Sequence, residues 1–177
     1  MTTSPSPLAH LAASCEAEGL TPHNSERIAA ALAAAFRVSV EEVGILRLEN
    51  ESLVFVHPAR LHNVGRIPLK NSSSVAVRTL NTKRPEIMNN FTKTKHTTFF
   101  EMVDVSGHQV GSGPMPAKEF QIIQKLMSAP VIAAGKVVGV IQVSRKGKTL
   151  ITAGPDFATA DLQKLVAMAG TLARCFK

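Results

Sequence analysis

Four histidines, His57, His62, His96 and His108, are the residues of this chain whose type first suggests a metal or a haem. Their spacing argues against it, because no pair stands in an HxxxH or HExxH relation. A histidine standing alone is read as a polar turn or surface group, so no metal is expected. Gly107, Gly111 and Gly113 miss the GxGxxG spacing that lets a backbone cradle a dinucleotide, and no strand leads into them. Gly147-Lys148-Thr149 has the ending of a phosphate-binding loop, but the earlier glycine of that motif falls at Gln142. Ser112 sits in a Gly-Ser-Gly text that is not a nucleophile elbow. Cys15 and Cys175 stand near opposite ends without the spacing of a zinc site. They read as two small buried hydrophobes, with a structural disulfide as the alternative. No partnered acid and base is in view, and catalysis is not expected.

What remains is chemistry for holding a ligand. Arg78 can pair with an anion, and Asn89 and Asn90 can offer amides to a polar molecule. Phe91, Phe99 and Phe100 can wall or stack against it, or can simply pack in a core. Lys95 and His96 can add charge at a lid. Gln142 is a polar residue in an apolar run; it either faces a pocket or hydrogen-bonds within a sheet.

These residues must be positioned by the elements around them. Leu8 to Gly19 reads as a short helix that Gly19 can stop. The stretch LTPHNSERIAAALAAAFRV reads as a stronger helix, with Asn24 or Ser25 as its cap and Ile28, Leu32, Ala35 and Phe36 on one stripe. VGILRL and SLVFVH read as a hairpin around Glu49-Asn50-Glu51. RIPL is a short strand, Asn71 to Ser74 offer caps for a helix running to about Leu80, and KRPEI is extended. Residues 89–117 lack a stable period; a short helix over Thr97–Val103 and a loop over Ser106–Pro116 are expected there. Strand material returns in EFQIIQKLMSAPVIAAG and KVVGVIQVSRK. The final helix carries Leu162, Leu165, Val166, Ala169, Leu172, Ala173 and Phe176 on its stripe.

The second of those late strands is apolar on both sides. Val137, Gly139, Ile141 and Val143 are expected on one face, and Val138, Val140, Gln142 and Ser144 on the other. Such a strand belongs mid-sheet, covered on both faces. The terminal helices can cover one face and the middle of the chain the other, and a space under that second cover would be a pocket. Hairpin connections make the sheet mostly antiparallel, so the class is α+β.

At 177 residues, 45% hydrophobic and 19% charged, the chain reads as one globular domain over 1–177, with a lead-in helix over 1–20. Net charge is +7, with an acidic front and a basic middle: ten Lys/Arg against four Asp/Glu over residues 60–125. That distribution suits an anion site or a solvated surface. Neither a basic leader nor a membrane-spanning run is visible, so a cytoplasmic location is expected, with no membrane or nucleic-acid partner.

Three stretches in this order resemble the GAF domain family: GRIPLKNSSSVAVRTLNTKRPEIMNN, KLMSAPVIAAGKVVGVIQVSRK, and DFATADLQKLVAMAGTLARCF with Phe157 and Asp161 as its F-x-x-x-D text. The resemblance covers residues 24 to 177. It implies a profilin-like, six-stranded antiparallel sheet with terminal helices on one face and a ligand pocket on the other. It also implies work as a small-molecule sensor or a dimerisation module. The family's special chemistries transfer poorly. Bilin-binding relatives need a cysteine near the pocket, and reductases of free methionine sulfoxide need cysteines in the middle loops, whereas this chain has none between 16 and 174. The Asn-Lys-Phe-Asp-Glu text of cyclic-nucleotide binders is not present; Asn90-Phe91 followed by Thr92-Lys93 is a faint echo. The expectation is a non-enzymatic sensory module. It would bind a nucleotide, amino acid or anion between the sheet and the 70–117 region, pair with a second copy through its terminal helices, and signal through a partner. A ligand-free dimerisation scaffold is the alternative, and a thiol- or metal-dependent enzyme on the same fold is a further one.

Overall fold

The fold was established from a computed structural model, which describes residues 6–63, 66–71, 73–91 and 122–177. The expected helix and loop over 97–116, with Lys95, His96, Phe99, Phe100 and His108, lie outside the described residues.

Two helices open the chain: α1 (Pro7–Glu16) and α2 (Pro22–Phe36). The α2 cap is Thr21, whose hydroxyl accepts from the Asn24 amide at 3.2 Å. Asn24 and Ser25, the caps expected from sequence, lie inside the helix instead. Pro22 explains the correction, since its fixed φ and missing N–H suit the first helical position and make Thr21 before it the cap. Two strands follow, β1 (Val43–Glu49) and β2 (Ser52–His57). The two-residue turn between them places both Asn50 and Glu51 at positive φ (45° and 60°), the twist that closes a tight hairpin. Then come β3 (Arg66–Pro68), α3 (Val75–Thr82) capped by the Ser74 hydroxyl, and β4 (Glu86–Met88). The long hairpin β5 (Ile122–Ala133) and β6 (Lys136–Gly147) turns through Ala134 and Gly135, again at positive φ. The last helix is α4 (Thr159–Leu172), followed by a 3-10 turn, Ala173–Cys175.

The sheet has six strands in the order β3-β2-β1-β6-β5-β4, with every pairing antiparallel. β6 lies between β1 and β5, mid-sheet, as its two-sided apolar text requires. Ile45, Met127, Ile141 and Val143 meet Ile28, Leu32, Phe36, Leu165, Ala169 and Leu172 of the terminal helices on one face. On the other face Leu46, Leu126 and Val140 pack with Val75, Val77, Leu80 and Phe91. Each fully buried Leu or Ile contributes about 2 kcal/mol, so both layers hold the sheet.

One detail of β6 departs from simple alternation. The register jumps between Val131↔Gly139 and Ile132↔Val137, leaving Val138 as an extra, bulged residue. Val137 therefore packs toward α3 and Val138 toward the terminal helices, the reverse of the faces expected for those two. A second jump, between Ile123 and Lys125, leaves Gln124 as the bulged residue on β5.

Candidate functional site

The α3 side of the sheet carries a polar trio inside an apolar layer. Ser128 on β5 stands directly opposite Gln142 on β6. Ser128 Oγ accepts from Thr79 Oγ1 of α3 at 2.7 Å and from Gln142 Nε2 at 3.3 Å. Thr79, Ser128 and Gln142 are all buried. Gln142 thus hydrogen-bonds within the sheet, on the face that α3 covers, which is the second of the two alternatives that its sequence context leaves open. Ser128 Oγ already accepts twice, so the proton it carries is the group with which it can donate.

Around this trio the expected ligand residues divide. Arg78 makes a forked pair with Glu86 of β4: Nε donates to both carboxylate oxygens (2.9 and 3.1 Å) and Nη2 donates to Oε2 at 2.7 Å. Those hydrogen bonds hold the guanidinium in its charged form, raising its pKa. Asn89 clamps the chain ahead of α4, donating to the Phe157 carbonyl at 3.0 Å and accepting from its N–H at 2.9 Å. Both ends of that amide are engaged, which makes Asn89 an anchor. Phe91 is buried in the α3-side core. Asn90 is half-buried, and its Oδ1 lies buried with no hydrogen-bond partner among the described residues. Sequence reading missed Ser128 and Thr79. Ser128 carries a signal, being a polar residue in the apolar run KLMSAPVIAA.

Four cations of the C-terminal half, Lys125, Arg145, Lys146 and Lys164, are internal pins. Arg145 donates to the Phe36 and Arg37 carbonyls (3.2 and 3.4 Å) and lies 4.7 Å over the Phe157 ring. Lys164 donates to the Ala35 carbonyl at 2.8 Å. Together they cap the negative end of α2. Lys125, with its side chain 6% exposed, bonds Gly154 O at 2.6 Å and Asp156 Oδ1 at 2.7 Å, fastening the loop between β6 and α4. Lys146 donates to Glu41 O, and its backbone N–H donates to Glu42 Oε1; burial and then Arg60 push its pKa down to about 8. Arg60 itself pairs with Glu41.

Of the histidines, His57 is buried, with Nε2 against Val40 O at 3.1 Å, and burial lowers its pKa. His62 Nδ1 meets Phe55 O at 2.9 Å. Among the described residues no three His, Cys, Asp or Glu side chains gather as a metal site, and no helix is long and apolar enough to cross a membrane. Two surface clefts lie away from the trio. One, of 370 Å³, is lined by Asn50, Ser52, Pro68 and Lys70. The other, of 320 Å³, is lined by Leu20, Arg47, Val56 and His62.

A family model described as GAF domain matches residues 24–176. No curated protein matches the chain. Among solved structures, the GAF domain from Acinetobacter phosphoenolpyruvate-protein phosphotransferase is similar at a TM-score of 0.64 and 16% identity, covering 96% of this chain and 89% of that one. The corresponding domain from Coxiella burnetii is similar at 0.60 and 12%, covering 94% and 90%. A free methionine-R-sulfoxide reductase from Neisseria meningitidis, solved with its substrate, is similar at 0.58 and 16%, covering 99% and 94%. At these identities the likeness is one of fold.

Proposed function

The chain belongs to the GAF domain family, a family of sensory and regulatory modules, and from that premise we propose that it binds a small polar molecule against the α3 side of the sheet and passes the bound state to a partner. The observation that carries this reading is the Thr79–Ser128–Gln142 trio, three buried polar side chains in a layer built mainly of aliphatic and Phe side chains. Buried polar groups in such a layer have to be satisfied, and a ligand oxygen accepting from Ser128 would join a network already oriented by α3 and two central strands. Asn90, whose buried Oδ1 has no hydrogen-bond partner among the described residues, stays a candidate acceptor for the same ligand. Nucleotides, amino acids and small anions remain the classes to test. His96, Phe99 and Phe100 stay candidates for the same site. The reading is non-enzymatic: the only two cysteines, Cys15 and Cys175, lie in the terminal elements rather than in middle loops.

The test is a thermal-shift screen of the full chain with nucleotides, amino acids and anions. A compound at a hundredfold excess over its Kd adds about 2.7 kcal/mol, and the shift should shrink in Ser128→Ala and in Gln142→Leu. No shift with any compound favours the second reading, a dimerisation scaffold. That reading draws on Val166 of α4 and Ile132 of β5, large hydrophobics 40% and 41% exposed that line one groove with Pro85, Pro130 and Gly170. A species that sediments as a monomer in analytical ultracentrifugation would remove it.

A further inference from the structure

The chain has two cysteines, 160 positions apart, and the fold brings them to one place. Cys15 lies on α1 and Cys175 ends the 3-10 turn after α4. Cys175 Sγ donates to the carbonyl of Ala12 at 3.5 Å, and Ala12 shares a helix face with Cys15 one turn on. On the other side of Cys15, the Gly19 N–H donates to the Cys15 carbonyl at 2.8 Å, and a side chain at Gly19 would come within 3.6 Å of Cys175 O. Cys175 is thus bracketed by residues 12 and 19, with Cys15 between them. Both thiols are free and fully buried.

The two sulfurs have different polar neighbours. Cys15 Sγ accepts from the Arg27 guanidinium at 4.0 Å and touches Ser14 Oγ at 3.9 Å. Cys175 uses its S–H as a donor. Burial and then the neighbouring Cys15 raise the Cys175 thiol to about 11. The cover is thin: Ala12 and Cys15 are the only fully buried residues of α1, so this terminal helix opens at low free energy compared with the sheet.

We propose that Cys15 and Cys175 form a thiol-oxidation site whose product is a disulfide tying α1 to the C-terminal turn, with a peroxide as the oxidant. On opening of α1, the Cys15 sulfur attacks one peroxide oxygen. An S–O bond forms, the O–O bond breaks, and hydroxide leaves to take up the Cys15 proton as water. On reclosure, the Cys175 sulfur attacks Cys15 Sγ. The S–S bond forms, the S–O bond breaks, and the departing hydroxide takes up the Cys175 proton as a second water. Two thiols are oxidised and one peroxide is reduced. Arg27 marks Cys15 as the attacking sulfur and leaves Cys175 as the resolving one.

The experiment treats the reduced full chain with hydrogen peroxide. The expected result is loss of both titratable thiols together and a mass lower by two hydrogens. A peptide map should join Cys15 to Cys175, and the chain should keep its single-chain mobility on a non-reducing denaturing gel. Closing so long a loop should raise Tm by about 5–10 °C. Cys175→Ser should leave Cys15 to advance to sulfenic and sulfinic acid, seen as a mass gain. Thiols that persist in native buffer yet react in urea would overturn the proposal, as would crosslinks between chains; the wild-type peptide map alone gives either answer if a variant does not fold.

Discussion

Gly139 is the described glycine with the least room for a side chain, and replacing it with alanine is the sharpest test of the packing. A β-carbon there would lie 2.4 Å from the Leu46 carbonyl oxygen and 2.6 and 2.7 Å from two ring atoms of Phe176. The first distance falls short of ordinary contact by about 1 Å, and it is to backbone of the neighbouring strand. A flexible side chain could swing away, but Leu46 O belongs to β1, which β2 and β6 hold on both sides. Overpacking of a well-filled core costs about 1–3 kcal/mol, and the backbone clash puts Gly139→Ala at the top of that range, about 3 kcal/mol. Against a total stability of about 5–15 kcal/mol for a domain this is a large fraction. The chain has no Trp or Tyr, so urea unfolding should be followed by far-UV circular dichroism, with the slope m checked for constancy. Phe176→Ala removes the ring but not the carbonyl. The double variant should therefore be less destabilised than the sum of the singles by about 1 kcal/mol, while still falling below Phe176→Ala alone. A Gly139→Ala protein within about 0.5 kcal/mol of the parent would show that β6 does not run this close to β1 and Phe176.

Two further outcomes follow from partly buried polar groups. Lys146 is held at about 8 in the native chain against 10.5 for its ordinary value. Between those pH values the unfolded chain keeps a proton that the native chain has released, so stability gains from this residue as pH rises from 8 to 10.5, by up to about 3 kcal/mol. Cys175, raised to about 11, acts in the opposite sense above pH 9. The stability difference between parent and Lys146→Met cancels that contribution and should grow with pH in the parent's favour; a difference that stays flat from pH 7 to 10 would refute the assignment. Asn89→Ala leaves the N–H and C=O of Phe157 without their partners and should cost about 1–3 kcal/mol, read by thermal unfolding, whereas an unchanged Tm would mean the clamp is replaced by water.

The elements were legible because each is written in local chemistry. Apolar spacing marked α2 and α4, the polar Glu49-Asn50-Glu51 text marked the first hairpin turn, and a strand apolar on both faces marked β6 as central. The cap of α2 was misread by three residues because Asn24 and Ser25 are as good cap types as Thr21, and only the proline between them decides. Binding residues were harder. Arg78 and Asn89 looked free to meet a ligand because nothing local to them reveals Glu86 eight positions on, or the Phe157 backbone sixty-eight positions on.

By itself the sequence determined the class of the protein: two-sided burial of one hairpin, helices at both ends, and cysteines absent from the middle of the chain. Tertiary structure decided which polar residues meet. With no bulge, the Ala134–Gly135 turn would set Ser128 opposite Ile141; the extra residue at Val138 moves Gln142 into that place, and α3 brings Thr79 down onto the pair. A bulge is chosen by the twist and packing of the whole sheet, so no reading of β5 and β6 as separate strings could have placed Ser128, Gln142 and Thr79 within hydrogen-bonding distance.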